Sequence, residues 1–425
     1  MPDYLPPELL INVLKRLPVK TLLRFRSVSK EWYSLITNPY FITQHLDRSL
    51  AAPHTLVRYC TFKPNQNPYS GIEHYSVRFD NNTAFDEYAK PECPFTSFGF
   101  CFRIVGSCNG LICLLDTFEG DVHNLLLWNP LIGKSVAVPR PEVSFTSGQC
   151  PDFCTYGFGF DESRNDYKVV AIMPPDQIQG FQSKQSQAAI YSLNSGIWRE
   201  ISPKGLRCST SSTFGVQPAY LNGVAHWVGT DPRKRWREAE CFCIVTFSMT
   251  DEVFGEIKLP EKGYVNVDNL LESKLCLSVS QESLAFIKVD CYYWVWVMKK
   301  YGMEESWALL FKVKTGSVWR GFVGFRMNGE FVVCTSSRSL VSTSSSSLVS
   351  YDHESKHVKD LGIPDSGIQK TMLVHSFHLE NYVESLVLLE WGAYAPEHTG
   401  GTSYGSLMQN GLNEAEETEK LREEE

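Results

Sequence analysis

The sequence predicts a multidomain α + all-β chain, in which a small N-terminal helical module precedes a β-propeller of repeated four-stranded units. Three observations predict it. The first 48 residues carry short amphipathic helical patterns punctuated by prolines. Aromatic residues make up 13% of the chain, which favours pleated surfaces where rings pack well. From about residue 99, apolar runs alternate with Asn-Gly, Asn-Pro and Gly turns and recur at a near-constant interval. A length of 425 residues exceeds what one ordinary core holds, so at least two domains are expected.

The helical module reads in order. Leu9, Leu10, Val13, Leu14 and Leu17 fall on one face of a first helix. Pro6 and Pro7 fit its first turn, where a missing N–H costs nothing, and Pro18 stops it. Val19 to Arg26 form a second helix, with Leu22, Leu23 and Phe25 opposite Lys20, Arg24 and Arg26. Ser29 is the N-cap of a third, which runs through Trp32, Tyr33, Leu35 and Ile36 until Asn38-Pro39 breaks it. Tyr40 to Leu46 make a fourth short helix or turn. Helices this short do not persist alone in water. They need each other, and they are either a cap on the domain that follows or a docking surface for a partner.

The run Leu5-Pro6-x-Glu8-Leu9-x8-Leu17-Pro18-x3-Leu22-x5-Val28-Ser29-Lys30-x-Trp32, closed by Asn38-Pro39-x-Phe41, resembles an F-box over residues 3 to about 46. The resemblance implies docking onto a Skp-type adaptor, which in turn sits on a cullin–RING ubiquitin ligase. It places Leu5, Pro6, Leu9, Leu14, Leu17, Pro18, Leu22, Val28 and Trp32 at positions that form the adaptor interface or the helical core behind it.

Composition narrows the class. A hydrophobic content of 43% and a charged content of 21% are those of a globular protein. The net charge of −8 is uneven. Residues 1–48 hold seven basic and four acidic side chains, whereas residues 395–425 hold eight Glu against Lys420 and Arg422. No basic field covers the chain, which argues against nucleic acid as a partner. No apolar run approaches the roughly 18–20 residues of a membrane span, and Met1-Pro2-Asp3 does not open a signal peptide, so no membrane partner is expected. The thirteen Cys are scattered in apolar strands and read as reduced, buried thiols. These features place the protein in the cytoplasm and/or nucleus, and leave the sequon at Asn81 silent.

Residues 49–98 are interrupted by Pro53, Pro64, Pro68, Pro91 and Pro94 and read as a linker merging into first strands near Thr55–Phe62 and His74–Phe79. Beyond them, strand–turn–strand units centre on Asn109, Asn165, Asn222, Glu282 and Asn328, which lie 56, 57, 60 and 46 residues apart. A second strand–turn–strand element follows each, at Leu126–Ser135, Ile190–Arg199, Val245–Phe254, Leu310–Trp319 and Val349–Lys356. Each unit thus holds about four strands in about 50 residues, the content of a propeller blade of the kelch type. A β-sandwich-like repeat domain is the alternative. The strict double-glycine signature of kelch repeats is absent.

Ser107-Cys108-Asn109-Gly110-Leu111, Leu127-Trp128-Asn129-Pro130, Tyr156 to Asp161 with Asp166 to Val170, and Ile190-Tyr191-Ser192 with Trp198-Arg199 resemble the F-box-associated domain of plant F-box proteins. The resemblance covers about 100 to 390 and implies a kelch-like β-propeller. The domain reading is therefore an F-box at 1–48, a linker and first strands at 49–98, the F-box-associated β-domain at 99–392 and a disordered acidic tail at 393–425. Ser342–Ser347 reads as a loop inside the last repeat.

Catalytic motifs are weak. Gly401-Thr402-Ser403-Tyr404-Gly405 has the spacing of a nucleophile elbow but sits in a polar tail without the strand and helix it needs. Gly157-Phe158-Gly159 has no third glycine and no following helix. Cys241-Phe242-Cys243 alternates along a strand with no second pair to complete a zinc site, and His226 reads as a satisfied strand residue. Neither cofactor nor metal is expected. Arg233-Lys234-Arg235-Trp236-Arg237 is the one basic patch, either a solvated loop, a contact for an acidic protein substrate or a nuclear-import signal. Loops near Pro174–Gln187 and Lys299–Glu305 are further recognition candidates. The resemblance implies a non-catalytic substrate receptor of an SCF (Skp–cullin–F-box) ubiquitin ligase, with an F-box protein acting outside a ligase, or a propeller enzyme with a helical add-on, as the other classes.

Overall fold

The computed structural model describes residues 6–62, 71–80, 85–97, 101–118, 122–141, 154–173, 186–210, 217–231, 242–260, 274–315, 319–336, 345–366 and 377–389. The N-terminal module forms four helices, α1 (Pro7–Leu14), α2 (Val19–Phe25), α3 (Lys30–Ile36) and α4 (Pro39–Leu50). Ser29 Oγ accepts the Trp32 N–H and Asn38 Oδ1 accepts the Tyr40 N–H, which caps α3 and α4. Pro39 at the first position of α4 starts a helix that runs four residues past Leu46.

The strands that follow are β1 (His54–Phe62), β2 (Gly71–Arg78), β3 (Glu87–Ala89), β4 (Arg103–Cys108), β5 (Leu111–Phe118), β6 (Val122–Asn129) and β7 (Lys134–Val138). They continue as β8 (Thr155–Asp161), β9 (Asp166–Met173), β10 (Gln187–Ser192), β11 (Ile197–Ile201), β12 (Ala219–Leu221), β13 (Val224–Thr230), β14 (Phe242–Ser248) and β15 (Phe254–Lys258). The last are β16 (Lys274–Ser280), β17 (Ser283–Val289), β18 (Tyr292–Met298), β19 (Trp307–Lys314), β20 (Trp319–Phe325), β21 (Phe331–Ser336), β22 (Ser345–Tyr351), β23 (Val358–Ser366) and β24 (Phe377–Tyr382).

These make a six-blade propeller. Blades 1 to 4 are the consecutive antiparallel sheets β4–β7, β8–β11, β12–β15 and β16–β19, and β20–β23 form blade 5. Blade 6 is composite. β24 pairs antiparallel with β1 from Tyr59↔Phe377 to His54↔Tyr382, and β2 and β3 extend the sheet outward. Residues from both ends of the described chain therefore close the ring. The stretch read as a linker supplies the three outer strands of this blade.

Apolar clusters fill the spaces between blades. Val170 and Ile190 of blade 2 meet Ala225, Trp227 and Phe247 of blade 3, and Leu56, Tyr75 and Val77 of blade 6 meet Ile104, Leu114 and Trp128 of blade 1. Gly157 and Gly159 on β8 matter here. A Cβ on either would lie 2.4 Å from Trp227 or 2.3 Å from Tyr220, so glycine is what lets blade 3 press its rings onto β8. The Gly-x-Gly pair is thus a packing device.

Two local readings change. The second hairpin of blade 4 is β18–β19, closed by residues 299–306, so Leu310–Trp319 crosses from β19 of blade 4 into β20 of blade 5. Both runs look like strand–turn–strand, and only the pairing separates an in-blade turn from an inter-blade connection. Ser345, Ser346 and Ser347 are strand residues of β22, paired with Ser366 and Asp365 on one side and with Ser336 and Thr335 on the other. Neighbouring strands on both sides impose extension on a Ser run that has no strand preference of its own.

Candidate functional site

The helical module is the candidate site, and its side chains sort into two sets. Leu14, Val19, Leu22, Ile36 and Phe41 form its buried core, with Leu10, Ile11, Leu17, Leu23, Phe25 and Trp32 packed around them. Trp32 makes an edge contact with Phe25, ring centroids 5.0 Å apart. The exposed set is different. Leu9 is 51% exposed, Val13 55% and Val28 65%, and Pro6 and Pro18 also face solvent. Pro6, Leu9 and Val13 follow one another at i, i+3 and i+7, which is one stripe of α1. Exposed Arg16, Lys20, Arg24 and Lys30 lie in the same module, and the Arg26 guanidinium stacks on the Tyr33 ring at 4.8 Å.

Of the nine positions named from sequence, Pro6, Leu9, Pro18 and Val28 are therefore presented to solvent, and Leu17 and Trp32 are half-buried. Leu14 and Leu22 are core residues, 1% and 0% exposed, so they support a docking surface from behind. Leu5 lies outside the described residues. Val13, Tyr33 and Tyr40 were missed as exposed apolar positions. Val13 shared the apolar face of α1 in the sequence, but a module this small buries only part of a wide stripe.

What orients the module is a strap, residues 383–389, that leaves β24. Leu386 and Leu389 insert into the helical core, and Leu131 and Ile132 from the β6–β7 turn pack against it. Asn129 Nδ2 donates to the Ser385 and Val387 carbonyls, both at 2.9 Å. Pro18 at the N-cap of α2 has no side-chain acceptor to offer. The carboxylate of Glu384 takes that role, accepting the Val19 N–H at 3.0 Å in a buried setting where the helix N-terminus favours negative charge. His45 Nε2 lies 3.1 Å from the Leu17 carbonyl, and burial lowers the pKa of both His45 and His54 beside this joint. No pattern in the sequence around Glu384 signals this cap.

The strap, the β6–β7 turn and the start of β1 all lie at the propeller face reached by the ends of β24. Connections on this face are short, the longest being 79–86 and 299–306. At the opposite face lie the strand ends that flank the longer intervals between second and third strands and between blades, such as 139–154, 202–218 and 259–273, most of whose residues are outside those described. The Lys299–Glu305 candidate thus lies on the module's face, while β9 and β13 end, and β10 and β14 begin, at the far face. Arg233, Lys234, Arg235, Trp236 and Arg237, most of the Pro174–Gln187 loop, and the Gly401–Gly405 motif lie outside the described residues.

His226 is buried in β13, with Nδ1 3.1 Å from the Ala219 carbonyl and Nε2 2.8 Å from the Tyr301 hydroxyl. It is a satisfied strand residue. Cys208 and Cys243, expected as free thiols, meet sulfur to sulfur. Their Cα atoms are 7.2 Å apart, beyond the roughly 4.4–6.8 Å of relaxed bridges, so the same backbone also accommodates two thiols in contact. Among the described residues no helix is long and apolar enough to cross a membrane.

Comparison with known proteins agrees with this architecture. Residues 3–44 match the F-box domain, and residues 70–389 match the F-box associated beta propeller domain. An F-box/kelch-repeat protein of Arabidopsis thaliana, At3g23880, is 28% identical over 73% of this chain and 80% of its own. The F-box protein CPR1 of the same plant is 27% identical over 90% of this chain and 89% of its own. With four short helices ahead of six blades, and matches across both parts, this chain belongs to the F-box proteins that carry an F-box-associated β-propeller.

Proposed function

We propose that this protein is the substrate receptor of an SCF-type E3 ubiquitin ligase, working in the cytoplasm or nucleus. The F-box docks on a Skp-type adaptor, the propeller holds a target protein, and the cullin–RING assembly delivers ubiquitin to it for degradation. The chain itself breaks no bond; it supplies proximity, which removes a large entropic barrier from a bimolecular step. The observation that carries this reading is the exposed apolar stripe Pro6–Leu9–Val13, with Val28, on a module whose own core is already filled. Exposed apolar side chains beside basic residues suit an acidic, apolar partner surface.

The far face supports target binding there. Its connections are long where those beside the F-box are short, and loops on a rigid scaffold carry recognition. Arg233–Arg237 falls in the sequence between the end of β13 and the start of β14, both at that face, and would contact an acidic target or serve nuclear import.

The test is adaptor co-purification with Leu9→Asp and Val28→Asp. Both positions are exposed, so the helical fold should survive by circular dichroism. Adaptor affinity is expected to fall at least about 30-fold, the loss of a hot-spot contact worth about 2 kcal/mol. Undiminished binding by both variants would overturn the assignment.

A further inference from the structure

A cluster of reactive groups lies under the face opposite the F-box, at the seam between blade 6 and blade 1. The Sγ atoms of Cys60 on β1 and Cys101 in the segment entering β4, and a Glu73 carboxylate oxygen, all lie within 4.8 Å of one another. Arg58, 1% exposed, reaches into the cluster. Its NH1 is 3.6 Å from Cys60 Sγ and 3.9 Å from Glu73 Oε1, and its buried Nε has no hydrogen-bond partner among the described residues. The Phe102 N–H donates to Glu73 Oε1 at 3.0 Å. Beside the cluster is a cavity of about 470 Å3, lined by Glu73, Tyr75, Cys93 and Ser97 and rimmed by exposed Lys90 and Thr96.

We propose that Cys60 and Cys101 form a redox-active dithiol that hydrogen peroxide oxidises to a disulfide, with Cys101 as the attacking thiol. One buried guanidinium faces two thiols and a carboxyl, so the site accommodates one negative charge cheaply. The hydrogen bond from Cys60 and the Arg58 guanidinium hold the Cys101 thiol well below its ordinary range, against the push of burial. Burial raises the Glu73 carboxyl to about 8, despite Arg58. The arrangement therefore favours the thiolate on Cys101, with the carboxyl of Glu73 and the thiol of Cys60 holding their protons.

The chemistry closes with these groups. The Cys101 thiolate attacks one peroxide oxygen and the O–O bond breaks. The departing hydroxide takes the Glu73 proton and leaves as water, so Cys101 becomes a sulfenic acid. Cys60 Sγ then attacks the sulfenic sulfur, the S–O bond breaks, and the hydroxyl leaves with the Cys60 proton as a second water. The two sulfurs lose two electrons in total and peroxide gains them; Glu73 recovers its proton from solvent. The bridge ties β1 to the segment that enters blade 1, beside the cavity. A divalent metal fits less well. Among the described residues only three ligand groups converge, and a buried guanidinium already lies against two of them.

The experiment is peptide mapping of the full-length protein under non-reducing conditions, before and after graded peroxide, with dimedone as the sulfenic acid probe. A Cys60–Cys101 linked peptide is expected in the wild type, removable by dithiothreitol. Cys60→Ser should instead collect dimedone on Cys101, and Cys101→Ser should give neither product. Exposed Cys291 is the internal control. Three results would overturn the proposal. One is oxidation of Cys291 while both Cys60 and Cys101 stay free. Another is a bridge formed through Cys93. The third is one equivalent of zinc in the isolated protein that Cys101→Ser removes. The wild-type map decides the matter even if a variant fails to fold, and none of these outcomes bears on adaptor binding.

Discussion

His226 gives the protein a pH-dependent stability. Burial lowers its pKa to about 4, against 6.5 for the free side chain, and outweighs the hydrogen bond to the Ala219 carbonyl, which favours the charged ring. A histidine with a lowered folded pKa binds its proton more readily when unfolded. Its contribution is present above pH 6.5 and is lost as pH falls from there towards 4. Denaturant titrations should show about 2 kcal/mol more loss between pH 7 and pH 5 for the wild type than for His226→Gln, at 1.36 kcal/mol per pKa unit. Leu9 and Leu14 make the second contrast at this scale. Both are apolar residues of α1, but Leu14→Ala removes core and is expected to cost about 2–5 kcal/mol of module stability, read as lost helical signal. Leu9→Asp should leave that signal intact. Both residues were named together from the motif, since the spacing of α1 alone does not say how wide a stripe the module buries.

Among elements, the strap is where a small change should have a distant effect. Gly110 closes the β4–β5 turn at φ +81°, and a Cβ there would lie 2.3 Å from Ser385 Cβ and 2.7 Å from the Val383 carbonyl. Gly110→Ala should therefore displace the strap and with it the Glu384 cap of α2. Hydrogen exchange is the measurement. The α2 amides, that of Val19 above all, are expected to exchange at least tenfold faster, while β16–β19 are unchanged. Glu384→Ala should do the same, since an uncapped, buried N–H costs about 1–3 kcal/mol. The Asn-Gly turn was legible in the sequence as a hairpin, because the φ > 0 it requires suits those two residues. Its contact with a strap 275 positions later was not, because nothing local encodes what a turn touches.

At the level of the whole molecule, ring closure rests on β24. It is the one strand of blade 6 drawn from the C-terminal side, and Phe377 and Leu379 fill the space between blades 5 and 6 with Val57, Leu348 and Ile363. A chain ending at Ser366 would leave β1 with an open edge and the F-box core without Leu386 and Leu389, and is expected to lose cooperative thermal unfolding and soluble yield. A chain ending at Leu389 should keep the full-length melting temperature. If both behave alike, closure is not what stabilises the ring. The sequence by itself determined the helical module, the Ser29 cap of α3, the four-stranded repeat and the spacing of the hairpins, because each follows from contacts a few residues apart: a Ser Oγ on the N–H three residues on, an Asn-Gly pair taking positive φ, an apolar run paired across its own turn. Only the tertiary structure decided that β1 to β3 share a blade with β24, that Leu14 is core while Leu9 is exposed, that Glu384 caps α2, and that Arg58 is buried beside Cys60, Glu73 and Cys101. Each of these joins residues far apart in the chain, where burial and pairing are set by what the ring brings together and not by any local pattern.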